Sequence, residues 1–588
     1  MNKILDANSR KNSTLRRKKR HLVEFEIHTA IILQKANLVK FEVGTAITLN
    51  NNYLAKRRTV MTMRKKNATQ VSITDFSDFG YEYTPTNCPS RNSNYGASRD
   101  KVNPLVAGLE KASNVTVTEN LAKAYKSTMD HLLDFFGNAG AMRKRPETDI
   151  VQLFSKAFAE DRLLALKALF YIRDVRGGQG ERRTFRICLK YLADNYPDLV
   201  QKNILNVPLF GRWDDLYTLF GTTEETQAIR VMATQLAADW RSMKAGKNVS
   251  LLAKWLKSEN TSSPASRNMG RKFREALGWS SKKYRKTLSA LREFIDVVEV
   301  KMCAREWNEI NFEHTPSKAL LNYRKAFEKR ANESFADYLK RVEKGEATIA
   351  TGALYPYDIL RTVVETGTAG LALKTADLQW RNLPNYLEGD GKGLVIADTS
   401  GSMHGLPIYV AISLAIYFAE RNMGPFKDVF MTFSQRPCFH RLVGNNILEK
   451  WKNLDHGGWD CNTDLQAAFD LILNTARANR VPKKDMPSTL FIVSDMQFDI
   501  ASSRNDKTNF EVMKEKFEAA GYELPKVVWW QVDSRQNNVP VTFSDAGVAL
   551  VSGSHPSILK KICTTEFLTP LGLMLKAITD KRYDSVVV

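Results

Sequence analysis

The most constraining feature of this sequence is a short apolar run that ends at a carboxylate and two hydroxyls. Residues 394–397 are Leu-Val-Ile-Ala, which predicts a short strand buried on both faces. Asp398, Ser400 and Ser402 follow at alternate positions, so their oxygens can lie on the same side of the loop that leaves the strand. Hard divalent cations prefer oxygen ligands. The stretch therefore predicts part of a cation site at the carboxyl end of a strand.

Two further oxygen donors follow along the chain. Thr463 precedes an amphipathic run over residues 465–473, at a predicted junction between loop and helix. Asp495 follows a second apolar run, over residues 489–494, which predicts another buried strand. The carboxyl ends of neighbouring parallel strands share one crevice. We therefore expect Thr463 and Asp495 to join the first three residues.

The five positions resemble the metal-ion-dependent adhesion site of von Willebrand factor A domains. The resemblance implies a doubly wound α/β domain over residues 386–588 and a bound Mg²⁺ or another divalent cation. It implies direct ligation by the two serines and the threonine, aspartates that act mostly through water, and an acidic group from a protein partner that completes the coordination. The alternative is a domain in which the motif has only a structural role and binds no partner. The implied metal residues are Asp398, Ser400, Ser402, Thr463 and Asp495.

The charge of the chain is unevenly distributed. The 588 residues carry a formal net charge of +22. Residues 251–345 hold 21 Lys and Arg against 12 Asp and Glu, whereas residues 391–588 hold 22 against 21. We therefore expect a polyanion to bind outside the C-terminal domain. No apolar run reaches the length of about 18 residues that a membrane span needs, and the cysteines form no Cys-x-x-Cys pair, so we expect a cytoplasmic protein without membrane contact.

The chain divides into four segments by sequence pattern. Residues 1–66 are predicted to be a disordered basic arm, with a nucleic-acid-binding arm or a localisation signal as the alternative, and residues 67–103 a linker. Over residues 104–385, apolar residues recur at three- and four-residue spacing, with helix expected from residue 119 onward. Short polar turns between the helices predict an α-solenoid of antiparallel helix pairs. The expected fold class is thus an α-solenoid followed by an α/β domain.

Three basic stretches of the helical segment are candidate RNA contacts. A glycine-rich turn at 177–180 has two explanations: helix termination, or a phosphate-binding corner of exposed amides and arginines. A second turn lies at 211–216. The third stretch interleaves basic residues with Trp279 and Tyr284, which can stack on bases, although such runs are also common on solvated faces. The candidate RNA-binding residues are Arg173, Arg176, Arg182, Arg183, Arg212, Arg271, Lys272, Lys282, Lys283, Arg285 and Lys286.

The helical segment followed by an A domain resembles the TROVE family. The stretches at 173–183 and 297–302 are more similar to those of a group of plant, giant-virus and phage proteins with the same arrangement. The resemblance implies HEAT-like helical repeats that form a ring closed by the A domain. It also implies that single-stranded RNA ends and structured small RNA bind to the ring, for RNA scaffolding and quality control of misfolded RNA.

From these patterns we expect a non-catalytic RNA-binding protein that contacts small or misfolded RNA through its basic helical surface. The alternative is a Mg²⁺-dependent protein-interaction scaffold that acts through the A domain without RNA. A metal-dependent nuclease is a third hypothesis. A two-metal site requires clustered carboxylates with the metals about 4 Å apart, whereas the residues found here are rich in hydroxyls, which disfavours the nuclease.

Overall fold

The computed structural model describes residues 103–387, 392–433, 436–454, 459, 462–501, 506–564 and 568–588. The predicted basic arm, and the predicted linker except its last residue, lie outside these ranges. The described residues all belong to one compact unit, Asn94–Val588. Within these ranges, every helix is too short or too polar to span a membrane.

Helices dominate the first part of this unit. Aspartates cap the N-termini of two of them: the buried Asp130 accepts a hydrogen bond from Leu133 N at 2.7 Å, and Asp161 accepts one from Leu164 N at 2.9 Å. The helices are α1 (Pro104–Ser113), α2 (His131–Ala139), α3 (Glu147–Glu160), α4 (Arg162–Arg173), α5 (Arg183–Asn195), α6 (Pro197–Asn203), α7 (Asn206–Phe210), α8 (Glu225–Lys244), α9 (Leu252–Trp255), α10 (Pro264–Ala276), α11 (Ser281–Phe294), α12 (Val298–Ala304), α13 (Ser317–Arg330), α14 (Asn332–Glu343), α15 (Pro356–Thr366) and α16 (Gly370–Arg381).

A small hairpin interrupts the helices near the start of the described chain. Strand β1 (Val115–Val117) pairs antiparallel with β2 (Lys123–Tyr125). The prediction of helix from residue 119 onward is therefore wrong as far as residue 130. The β-branched residues of β1 favour an extended backbone, and Leu121 adopts a φ of 66° in the turn. Leu121 and Tyr125 also form antiparallel bridges with Asp499 and Val539, which no local pattern could predict.

The second part of the unit contains a six-stranded mixed sheet, in the region where the sequence predicted an α/β domain. The strand order is β5-β4-β3-β6-β7-β8, with β5 antiparallel to β4 and the other pairs parallel. Side chains of β3 alternate between two core clusters, because Val395 and Ala397 belong to one and Leu394 and Ile396 to the other. The strands are β3 (Gly393–Asp398), β4 (Val429–Phe433), β5 (Cys438–Arg441), β6 (Thr489–Ser494), β7 (Lys526–Gln531) and β8 (Val548–Ser552). The helices are α17 (Leu406–Arg421), α18 (Ile447–Lys452), α19 (Leu465–Ala478), α20 (Asn509–Ala519), α21 (Ile558–Cys563) and α22 (Pro570–Ile578).

The C-terminal tail after α22 packs against the first helices. Tyr583 and Val586 belong to the same core cluster as Tyr171 of α4. The Asn203 side chain holds the tail backbone from both sides, since its Nδ2 donates to Val587 O at 2.6 Å and its Oδ1 accepts from Val587 N at 3.0 Å. The helical part and the α/β part therefore share one continuous core.

Candidate functional site

The carboxyl ends of β3 and β6 meet at the centre of the sheet. These two strands are parallel neighbours, with Ala397 opposite Val493. They also lie where the strand order reverses direction, since β4 and β5 lie to one side of β3 and β6 to β8 lie to the other. Open α/β sheets bind ligands in the crevice at such a reversal. Asp398 ends β3 and Asp495 follows β6, so both carboxylates reach this crevice.

The loop after β3 brings two hydroxyls next to each other. Asp398 is fully buried, and it accepts hydrogen bonds from Ser400 N at 2.9 Å and from Ser494 Oγ at 2.6 Å. The hydroxyls of Ser400 and Ser402 lie 3.1 Å apart. The alternate spacing in the sequence therefore places the carboxylate and both serines together, as predicted. Ser494 is an additional member of this network that the sequence analysis missed, although its position just before Asp495 is a signal that could have found it.

Asp495 lies at the same crevice, and its two carboxylate oxygens differ in their hydrogen bonding. It is fully buried, and its Oδ1 accepts a hydrogen bond from Gln497 N at 3.2 Å. Its Oδ2 accepts no hydrogen bond within the described part of the chain, and lies 3.6 Å from Nε of Arg535. A buried carboxylate oxygen that accepts no hydrogen bond is unfavourable, so this oxygen is suited to a cation.

Thr463 comes to the same edge from the loop before α19. Its backbone N–H donates to Asp499 Oδ2 at 2.9 Å, and its hydroxyl accepts from Asn120 Nδ2 at 3.2 Å. Asn120 also donates to the carbonyl oxygen of Gln497 at 2.9 Å, which connects Thr463 to the end of β6. The structure thus brings all five predicted residues to one edge of the sheet. We call Asp398, Ser400, Ser402, Thr463 and Asp495 the metal crevice.

The two aspartates of the metal crevice make each other's ionised form less favourable. Burial, together with the nearby charge of Asp495, raises the pKa of Asp398 to about 7. Burial also raises the pKa of Asp495, while the Ser402 hydroxyl, the Gln497 N–H and Arg535 oppose that rise. Two carboxylates in one buried site are stabilised when a cation lies between them.

The residues of the metal crevice fit a hard divalent cation. No group of three or more His, Cys, Asp and Glu residues that could hold a metal occurs among the residues that the structure describes. The crevice instead combines two carboxylates with three hydroxyls, all of them oxygen donors of the kind that Mg²⁺ prefers. Asp495 Oδ2 adds a buried oxygen that accepts no hydrogen bond among the described residues.

The hydrogen-bonding groups of the glycine-rich turn in the helical part are used by other residues of the protein. Asp174 is fully buried, and it accepts hydrogen bonds from the guanidinium of Arg582 and, at 3.0 Å, from the Tyr583 hydroxyl. A Cβ on Gly178 would lie 1.8 Å from a backbone carbonyl oxygen, and Gly180 has a φ of +67°. The amides of residues 176, 179, 180 and 181 all donate within the turn. These amides are therefore not available to a phosphate.

Arg173, a predicted RNA contact, lies inside the protein. Its side chain is 2% exposed and makes an ion pair with the fully buried Asp215, with Nη2 to Oδ2 at 2.7 Å. Asp215 also accepts from Arg186 Nε at 2.7 Å. Arg173 therefore cannot contact a ligand in this conformation. Among the other arginines of the stretch, Arg176 and Arg182 are exposed, and Arg183 is half-buried with its Nη1 donating to a backbone oxygen at 2.8 Å.

A basic and aromatic corner surrounds Arg212. Its guanidinium lies over the ring of Trp255, with Cζ at 4.1 Å from the ring centroid, and it pairs with Asp214 at 3.0 Å. Lys254 contacts the same ring at 6.0 Å. Burial lowers the pKa of Arg212, and the nearby positive charge of Arg182 lowers it further. We call Arg182, Arg212, Lys254 and Trp255 the basic corner. The sequence analysis missed Lys254 and Trp255, because tertiary packing brings them next to Arg212.

The third predicted stretch lies on α10 and α11. Lys283 lies over the Trp279 ring at 4.4 Å, and Lys272 pairs with Glu225 at 2.6 Å. Tyr284 is fully buried and donates to the carbonyl oxygen of Lys257 at 2.9 Å, so it cannot stack on a base. The remaining candidates of this stretch, all exposed, are Arg271, Lys282, Arg285 and Lys286.

Comparison with known proteins gives two family matches. Residues 118–229 and 250–392 match a model described as "Domain of unknown function (DUF2828)", and residues 392–570 match one described as "Domain of unknown function (DUF7788)". The chain is also similar to "Uncharacterized protein L728" of Acanthamoeba polyphaga mimivirus, at 29% identity over 502 residues, which cover 79% of this chain and 87% of the relative. The two family matches meet at residue 392, immediately before β3. The chain is thus similar to DUF2828 domains in its helical part and to DUF7788 domains in its α/β part.

Proposed function

We propose that the protein is a non-catalytic RNA-binding protein, with a TROVE-like helical solenoid and a von Willebrand factor A domain that carries a divalent cation. The strand order and the location of the Asp-x-Ser-x-Ser loop at the point where that order reverses support the A domain. The helical part, with basic surfaces beside a near-neutral α/β part, supports the RNA-binding role. Closure of the helices into a ring and a cytoplasmic location remain predictions.

The observation that carries the RNA proposal is the basic corner. The Arg212 guanidinium lies over the Trp255 ring, where it can contact a phosphate, and the ring itself remains half-exposed. Arg182 and Lys254 add positive charge nearby. A cationic surface that contains an aromatic ring suits single-stranded RNA, because phosphates bind to the cations and unpaired bases stack on rings.

The exposed cations of α10 and α11 form a second candidate surface. Lys283 and Trp279 form a second pair of cation and aromatic ring, and neither Arg285 nor Lys286 makes a salt bridge within the described part of the chain. Cations without an acidic partner are free to contact phosphates. We therefore propose that RNA contacts both the basic corner and this face.

The test is binding of a fluorescent single-stranded RNA of about 20 nucleotides, measured by anisotropy at several salt concentrations. Phosphate-dominated binding should weaken steeply as salt rises. Arg182→Glu combined with Lys254→Glu should lower the affinity at least about tenfold, because two phosphate contacts become repulsive. Lys514→Glu, an exposed substitution on α20, is the matched control and should change the affinity little. Equal affinity for wild type and the double variant would refute the RNA proposal at this surface.

A Mg²⁺-dependent protein scaffold is the second candidate function. The unsatisfied Oδ2 of Asp495 and the three hydroxyls of the metal crevice favour it. When bound, the ion would be held by Ser400, Ser402 and Thr463, and it would neutralise Asp398 and Asp495. Mg²⁺ should raise the melting temperature of wild type but not of Asp398→Ala. A melting temperature that does not respond to Mg²⁺ in either protein would argue against a cation site.

A further inference from the structure

The turn between β1 and β2 lies along the rim of the metal crevice. Thr118 Oγ1 donates to the Phe498 carbonyl oxygen at 2.7 Å, and the backbone N–H of Glu119 donates to the Gln497 side chain at 2.9 Å. Asn120 reaches the hydroxyl of Thr463 itself, at 3.2 Å. We call residues 118–121 the hairpin turn. A segment from the start of the described chain is therefore held in place beside the crevice, where it covers part of the rim.

Arg535 connects the hairpin turn to the crevice. Its Nη1 donates to Glu119 Oε2 at 3.0 Å, its Nη2 donates to Ser402 O at 2.7 Å, and its Nε lies 3.6 Å from Asp495 Oδ2. The loop that carries it is fixed by the helical part, since Arg145 Nη1 donates to Arg535 O at 2.9 Å. The guanidinium thus lies between a carboxylate of the hairpin turn and a carboxylate of the crevice.

We propose that Glu119 is a ligand supplied by this chain to the divalent cation of the metal crevice, and that Arg535 holds Glu119 beside the site when no ion is bound. This inference rests on the proposed cation site. It assigns to the hairpin turn the acidic group that adhesion sites take from a partner. The crevice then binds part of its own chain, and the ion fixes the hairpin to the α/β part.

The charges around the crevice support this assignment. Asp398 and Asp495 are both buried, and Glu119 lies at the rim with about a third of its side chain exposed. Of the cations within the described ranges, Arg535 contacts both Glu119 and Asp495. One guanidinium leaves this cluster of three carboxylates negative. A divalent ion compensates the remaining charge, and Glu119 binds it in place of Arg535.

The affinity for Mn²⁺, measured from the electron paramagnetic resonance signal of the free ion, tests the proposal. Glu119→Gln should weaken Mn²⁺ binding about tenfold, because it removes a negative oxygen next to the ion. Arg535→Met should strengthen binding, because it removes the competing cation and frees Glu119. Glu110→Gln, an exposed acid on α1, is the matched control and should leave the affinity unchanged. If Glu119 and Arg535 formed an ion pair that only stabilises the fold, the two substitutions would not change the affinity for Mn²⁺ in opposite directions.

Hydrogen exchange gives a second readout that does not depend on affinity. Mn²⁺ should slow amide exchange across residues 115–125 in wild type, since the ion fixes the hairpin. In Glu119→Gln, a saturating Mn²⁺ concentration should protect the loop after β3 but not the hairpin. Protection of the hairpin that persists in this variant would overturn the assignment of Glu119.

The outcomes separate this inference from the cation site on which it rests. Mn²⁺ binding that Asp398→Ala abolishes, together with unchanged affinity in Glu119→Gln, would overturn the role of Glu119 and leave the cation site standing. Wild type that binds no Mn²⁺ at millimolar concentration would overturn both. Circular dichroism of each variant in the absence of metal confirms that it is folded.

Discussion

His555 should make the stability of this protein sensitive to mild acid. The side chain is buried between the two parts of the unit, with its ring against Tyr355 at 5.0 Å and Tyr386 at 5.7 Å. Its Nδ1 accepts a hydrogen bond from Ser557 N at 3.1 Å, which requires a nitrogen without a proton. Burial lowers the pKa of His555 to about 4, against an ordinary value of 6.5. The unfolded chain therefore binds a proton that the folded protein does not, and stability falls as the pH drops below 6.5.

The size of the effect follows from the two pKa values. At pH 7.5 the imidazole is neutral in both states and contributes almost nothing to the pH dependence. At pH 5.0 the unfolded state is mostly protonated and the folded state is not, which costs about 2 kcal/mol of the free energy of unfolding. The loss is complete near pH 4, where the folded protein also begins to bind the proton.

Urea unfolding followed by tryptophan fluorescence, at pH 7.5 and pH 5.0, measures this loss of unfolding free energy. His555→Asn removes the titration, and its Oδ1 can still accept the hydrogen bond from Ser557. The decrease in unfolding free energy between the two pH values should be about 2 kcal/mol larger in wild type than in His555→Asn. His404→Asn, at an exposed site, is the control. The same pH dependence in wild type and His555→Asn would refute the reasoning.

Four substitutions test the structural role of the glycine turn and its neighbours by urea unfolding. Gly178→Ala should destabilise by about 3 kcal/mol, since its Cβ would lie 1.8 Å from a backbone oxygen. Gly177→Ala should cost less, about 1 kcal/mol, since its Cβ would lie no closer than 3.0 Å to side-chain atoms of Arg582 and Asp174 and would meet no backbone atom among the nearest contacts. Arg582→Ala should cost about 3 kcal/mol, because it removes the charged partner of the buried carboxylate Asp174. Arg173→Met should cost a similar amount, about 3 kcal/mol, yet leave RNA affinity unchanged; a loss of affinity in the folded variant would restore Arg173 to the binding surface.

The metal crevice could be predicted because its signals are local. Asp398, Ser400 and Ser402 lie within five consecutive positions directly after an apolar run, and Asp495 follows a second apolar run. In a parallel sheet the carboxyl ends of neighbouring strands lie at the same edge, so local patterns are enough to predict that these residues come together. The two strands predicted beside these residues are confirmed, and they are parallel neighbours in a mixed sheet whose antiparallel pairing of β4 and β5 was not predicted.

The surroundings of the crevice could not be predicted in this way. Asn120 contacts Thr463 across more than three hundred residues of sequence, and Arg535 contacts Glu119 across more than four hundred. No periodicity or spacing marks such pairs. The glycine turn shows a related difficulty. Its basic and glycine-rich residues suggested a phosphate site, whereas the structure uses the amides to fix the turn itself and the Asp174 carboxylate to hold the C-terminal tail.

The return of the tail to the first helices has a consequence for how the protein is made. Asp174, Tyr171 and Asn203 are synthesised about four hundred residues before the tail residues Arg582, Tyr583 and Val587 that they contact. A nascent chain therefore carries an incomplete helical core until residues 582–587 have been synthesised, and until then Asp174 lacks the Arg582 guanidinium and the Tyr583 hydroxyl. A ribosome that stops before residue 582 releases a chain whose buried carboxylate has no counter-charge from the tail. The core of the helical part can therefore close only after the α/β part that follows it has been synthesised.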